Sequence, residues 1–177
     1  MDLQAEIKGS NLVLIVTSKE KYHAELIEVV KAAAASMDKV CYVCFNEPYS
    51  FVLENMKKNG IDAGKFFFID TITRNVQEPP PAKDCIFVSS PNALTEISMA
   101  LSKALNEQHC SGILFDALSA LLVYEKGHTL IQFVHNVITK IKIRNGRAIF
   151  IALRDDLESE LIKDLHMFVD KAIDAGK

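Results

Sequence analysis

The chain has 177 residues, a net charge of -3 and a sequence pI near 6.0. Hydrophobic content of 49% with 24% charged residues is that of a folded globular chain, and its length suits one domain over 1–177 with a sizeable core. The charge balance offers no electrostatic footprint for nucleic acid. Asp2, Glu6 and Lys8 interrupt the first ten residues, so they do not read as a secretory leader, and every apolar run falls short of the ~18 residues of a membrane helix. The expectation is a soluble, cytoplasmic protein with no nucleic-acid or membrane partner.

Taken in order, the sequence alternates strand and helix patterns, as expected of a parallel sheet covered by helices. Leu12–Val16 (LVLIV) is a first strand buried on both faces. Thr17-Ser18-Lys19-Glu20 matches a capping box, and the helix after it places Tyr22, Leu26, Val29, Val30, Ala33 and Met37 on one face. Val40–Phe45 is a second strand. Its Cys41-x-x-Cys44 has metal-ligand spacing, but residues three apart on a strand point to opposite faces, and neither Cys85 nor Cys110 supplies a second pair. All four cysteines therefore read as free and buried, and no metal is expected. Pro48 opens a helix carrying Val52, Leu53 and Met56 that Gly60 closes; Phe66–Asp70 is a third strand. Pro79-Pro80-Pro81 fits neither helix nor inner strand, so the stretch 75–83 is an exposed connection.

Cys85–Val88 is a fourth strand. Ser89-Ser90-Pro91 begins a helix burying Leu94, Ile97, Leu101, Ala104 and Leu105. A fifth strand ends in Ile113-Leu114-Phe115-Asp116, an apolar run closed by one carboxylate, the position where open α/β sheets place their ligands. Leu121–Tyr124 stays apolar past that strand, either packed under the next helix, the commoner outcome, or exposed to a partner. A helix over 127–144, a strand at Ala148–Leu153, an acidic helix at 156–164 and a last strand at Met167–Val169 complete the chain.

The stretch from Cys110 to Glu125, CSGILFDALSALLVYE, resembles the Walker B segment of RecA-superfamily ATPases, closest to the KaiC-like branch. The phrase Cys44-Phe45-Asn46-Glu47-Pro48, then FFFID, then FDALSALL extends the resemblance over most of the chain. It implies a three-layer RecA-like fold with a mostly parallel sheet. In that order the first strand lies between the sixth and the last, and the fifth lies beyond the sixth. The resemblance makes Asp116 the counterpart of the magnesium-holding aspartate. Glu47 then keeps one of the two acids that activate the attacking water, and Asn46 replaces the other. Leu153-Arg154-Asp155 falls where the family often has a polar sensor.

The departures from the family bear on function. A phosphate-binding loop needs glycines so that successive N–H groups can turn inward, a lysine for the outer phosphates, and a Ser or Thr for magnesium. This chain has no glycine between Gly9 and Gly60. Lys19 and Lys21 read as solvated surface, and Glu20 answers the positive helix end that a phosphate would use. Asp116 then has a second reading, as an acceptor for the backbone N–H groups near Leu118 and Ser119.

Other chemistries find less support. There is no Gly-x-Ser-x-Gly, no acidic pair after the first strand, and His128 and His135 stand about 10.5 Å apart along one helix. Glu125 and His128 read as helix-end residues, and Asp155, Asp156, Glu158 and Glu160 as helix-start acids. The preferred reading is a catalytically inactive KaiC-like domain, a pseudo-ATPase without cofactor, acting as a regulatory or protein-interaction module. Its vestigial site comprises Asp116, Glu47, Asn46 and Lys19. The alternatives are a small-ligand binder or enzyme using Glu47, Asp70 and Asp116, and a subunit of a homo-oligomer.

Overall fold

The structure is a computed structural model describing residues 2–176; Met1 and Lys177 lie outside the described residues. Seven strands form one sheet: β1 (Leu12–Thr17), β2 (Val40–Cys44), β3 (Phe66–Asp70), β4 (Cys85–Phe87), β5 (Gly112–Asp116), β6 (Arg147–Leu153) and β7 (Lys171–Asp174). Their order is β4-β3-β2-β5-β6-β1-β7, and every pairing is parallel. The first strand lies between the sixth and the last, and the fifth beyond the sixth, as the resemblance implies.

Alternation along the strands divides the core into two layers. Leu12, Leu14, Cys41, Val43, Phe115 and Phe150 face one layer; Val13, Ile15, Tyr42, Cys44, Leu114 and Ile149 face the other. The first layer is covered by α4 (Leu94–Asn106), α5 (Leu118–Tyr124), α6 (His128–Ile143) and α7 (Glu160–His166). The second is covered by α1 (Leu3–Lys8), α2 (Tyr22–Ser36) and α3 (Tyr49–Lys58). Cys41 and Cys44 thus lie on opposite faces, and all four cysteines are free and buried.

Several elements differ from the sequence expectation. The last strand is Lys171–Asp174 rather than Met167–Val169. Met167 instead closes α7, donating its N–H to Asp164, and leaves its side chain 80% exposed. The true strand is an edge strand whose only buried side chain is Ile173, so it carries no apolar run. The capping box does not form. Thr17 is paired in β1 opposite Leu153 and gives its hydroxyl to the Glu25 carboxylate, so α2 begins only at Tyr22, without a side-chain cap. The helix expected from Ser89 begins at Leu94, because the Ser89 N–H and hydroxyl are both bound by the Glu96 carboxylate.

Of the acids expected at a helix start, only Glu160 lies in α7, which Ser159 caps. Asp155 and Asp156 belong to a preceding 3-10 turn, and Glu158 pairs with Lys163 at 2.8 Å. Two short helices carried too little periodicity to be expected. α1, capped by Asp2, buries Ile7, and α5 buries Leu118 and Leu121 while Val123 and Tyr124 remain exposed. Leu121–Tyr124 is therefore divided between packed and exposed. Among the described residues, no helix is long and apolar enough to cross a membrane.

Candidate functional site: a carboxylate clamped by two tyrosines

β5 runs beside β2 with Asp116 opposite Cys44, so Asp116 and Tyr42 project into the same layer, between the sheet and α2–α3. Tyr22 reaches this point from the first residue of α2. Its hydroxyl donates to Oδ1 of Asp116, and the Tyr42 hydroxyl donates to Oδ2. Asn46, just past β2, donates its Nδ2 to the Tyr22 hydroxyl at 2.7 Å. A buried tyrosine needs a partner for its O–H, and here both find the same carboxylate. Asp116 is 1% exposed, and burial pushes its pKa up to about 7. Burial also raises Tyr42 well above the ordinary phenol value, which keeps it a donor. The Asp116–Ala117 peptide is cis.

The expected acceptor role of Asp116 toward the N–H groups near Leu118 and Ser119 is not what forms. Its oxygens turn to the tyrosines, while the Ser119 hydroxyl accepts the N–H of Leu153 at 2.8 Å. The other residues named from sequence separate. Asn46 joins the clamp, and Glu47 lines a cavity beside it. Lys19 lies on the surface, paired with Asp155 at 2.7 Å, and that hydrogen bond raises its pKa. Glu20 accepts from its own N–H and from the Ser18 side chain, which lowers its pKa. In the expected sensor segment, Arg154 pairs with Asp174 at 2.5 Å.

Asp70 stands apart from this group. It is fully buried and accepts the N–H groups of Tyr49 (2.8 Å), Ile72 (2.7 Å) and Thr73 (2.8 Å) and the Thr73 hydroxyl (2.6 Å). Through Tyr49 it satisfies an orphan donor at the start of α3 that Pro48 cannot reach, so it fixes structure. The histidines also go separate ways: His135 pairs with Asp164 at 2.5 Å, and His128 contacts Gln132. Among the described residues, no three His, Cys, Asp or Glu side chains converge as a metal-ligand set.

The cavity beside the clamp has a volume of about 310 Å³ and opens between α2 and α3. Leu26, Ile27, Val30, Val52, Met56 and Ile61 form its apolar walls; Tyr42 and Asp116 lie at its buried end, with Glu47, His23 and Asn55 as its other polar groups. Tyr22 and Tyr42 were legible from sequence only as apolar-face residues; the available signal was a hydroxyl on each of two side chains bound for the core.

Residues 9–175 match DUF7504, a family of unknown function. The chain belongs to that family. Among solved structures it is similar to the KaiC-like protein PH0186 of the hyperthermophilic archaeon Pyrococcus horikoshii OT3. The TM-score is 0.64 at 8% identity, over 92% of this chain and 69% of that one. No curated protein matches the sequence. This DUF7504 member thus has a KaiC-like, RecA-type core.

A nucleotide with magnesium is the group such a core suggests, and the residues of this DUF7504 chain do not fit it. Magnesium dehydrates reluctantly and keeps several waters around an octahedral shell. Asp116 offers it no wet face, because the carboxylate is 1% exposed, each oxygen already accepts one tyrosine hydroxyl, and the cavity it borders is walled mainly by aliphatic side chains that cannot hold the ion's waters. Residues 18–21 form a turn with two positive and one negative side chain and no glycine, and Lys19 is held by Asp155.

Proposed function

We propose that this protein is a non-hydrolysing KaiC-like domain, a pseudo-ATPase whose role is regulatory or to contact another protein, with a partner protein or a second copy as the object of that contact. On this reading residues 1–177 act as one domain in the cytoplasm. The observation that carries the proposal is the double clamp on Asp116. The aspartate that the resemblance assigns to magnesium spends both oxygens on Tyr22 and Tyr42, and Tyr22 stands at the helix start where a phosphate-binding loop would deliver its Ser or Thr. The remaining departures support the same reading. A triphosphate needs inward N–H groups, a lysine and magnesium together, and a loop without glycine forms such a nest poorly. Asn46, in place of an acid, hydrogen-bonds Tyr22 and cannot share in activating water.

Calorimetric titration with Mg-ATP at millimolar concentration, followed by a phosphate-release assay, tests this. The expected result is neither saturable heat nor turnover. Saturable binding that disappears in Lys19→Ala or Asp116→Asn would overturn it. A light-scattering concentration series then separates self-association from a monomer that meets a different protein.

A further inference from the structure

We propose that the cavity between α2 and α3 is a binding site for a small organic amine, a molecule with an apolar body and one ammonium group directed at Asp116. This goes beyond the pseudo-ATPase reading: the cavity shares Asp116 and Glu47 with the vestigial site, but the proposal is argued from the cavity's own lining and from a ligand that is not a nucleotide. Three observations carry the proposal. At about 310 Å³ the cavity is at the lower end of the range that small-molecule sites occupy, and its walls are aliphatic. Among the described residues its lining holds two carboxylates, Asp116 and Glu47, and no lysine or arginine, so an anion would meet repulsion at pH 8.

Third, Asp116 has acceptor capacity left over. An ionised carboxylate offers about four lone-pair sites, and the two tyrosine hydroxyls use one on each oxygen. A buried carboxylate bordering an apolar cavity with unused lone pairs favours a donor that brings positive charge, because pairing relieves the cost of keeping the charge from water. An ammonium has three N–H donors and a compact head. Hydrated magnesium is excluded by the same aliphatic walls that would bind an organic body. The way in passes His23 and Phe51, which are exposed, and Ile27, which is half-buried.

The test uses three probes of nearly one shape: 4-phenylbutylamine, 4-phenylbutanol and 4-phenylbutanoate. Each is titrated into the intact chain at pH 8, above the value of about 7 to which burial pushes Asp116, and followed by amide ¹H–¹⁵N shifts. The amine is expected to give saturable shifts in α2 and α3 and to bind at least tenfold tighter than the alcohol or the acid. Asp116→Asn should lose that tenfold preference. Ile27→Trp, which fills the mouth from a half-buried position, should lose binding with the melting curve retained. If Asp116→Asn does not fold, Glu47→Gln and the probe series on the natural chain still decide. Glu47→Gln is expected to weaken the amine and leave the alcohol unchanged. The proposal fails if the amine gives no saturable shift, if the alcohol binds as tightly, if Ile27→Trp binds like the natural chain, if a folded Asp116→Asn keeps the amine affinity, or if Glu47→Gln binds the amine as tightly as the natural chain.

Discussion

Replacing Asp116 with Asn tests whether the clamped carboxylate costs stability at neutral pH. Burial raises its pKa from an ordinary 3.8 to about 7, so between those values the folded state binds a proton that the unfolded state has released. Stability from this group is therefore fully present below about pH 3.8 and is lost as pH rises through about 7. At about 1.36 kcal/mol per pH unit the interval corresponds to about 4 kcal/mol. The two hydroxyl donors favour the ionised form, so this figure is a ceiling.

Asn is nearly isosteric and does not titrate. Its oxygen can still accept from one tyrosine, while its NH₂ must donate to the other hydroxyl and leave that tyrosine's proton unpartnered, a loss of about 1 kcal/mol. Asp116→Asn should accordingly be the less stable protein near pH 4 and the more stable one near pH 8. Urea denaturation of both proteins from pH 4 to 8, followed by circular dichroism because the chain has no tryptophan, gives the difference directly. Subtracting the variant removes the pH dependence of every other group. A difference that stays flat, or that favours the natural chain increasingly as pH rises, would refute the reasoning.

Further outcomes follow from other buried contacts. Asp70→Ala leaves three partly buried backbone N–H groups and a hydroxyl without their acceptor and should lower stability by about 2–3 kcal/mol in the same assay. Gly112→Ala places a methyl 2.5 Å from the Met37 sulfur and 2.8 Å from the Arg147 carbonyl oxygen; the methionine can shift but the carbonyl belongs to β6, so a loss of about 1–3 kcal/mol is expected. Lys19→Ala breaks a solvent-exposed pair with Asp155 and should leave the urea midpoint unchanged.

The sheet was legible because its inner strands are buried on both faces and so carry uninterrupted apolar runs, as LVLIV, FFFID and AIFIAL do. Strand order came from a different source, the sequential resemblance of FNEP, FFFID and FDALSALL, since periodicity says nothing about which strands are neighbours. The misses have a common physical origin. β7 is an edge strand with one buried residue, α1 has six residues and α5 has seven, and such elements are held by tertiary contact rather than by a pattern of their own. The supposed capping box failed because Thr17, which fits the N-cap preference, is required by β1 instead.

At the site, sequence alone could locate Asp116 but not its partners. Tyr22 is 94 residues away and Tyr42 is 74, and each also satisfies a simpler role, on the apolar stripe of a helix or inside a buried strand. A tyrosine in such a place differs from phenylalanine by one oxygen that cannot be buried alone. The inference available before the fold was therefore that two hydroxyls needed acceptors. The core offered few: among the described residues, the buried polar and charged side chains are Thr17, Asp70, Thr71, Asp116 and Ser119, and Asp70 is engaged by its own turn. Asp116, at the end of β5 beside Tyr42, satisfies both tyrosines at once. The double clamp thus meets a requirement of core burial with the residue that the KaiC-like resemblance assigns to magnesium, so burial of two hydroxyls is by itself a sufficient physical reason for an aspartate at the end of β5.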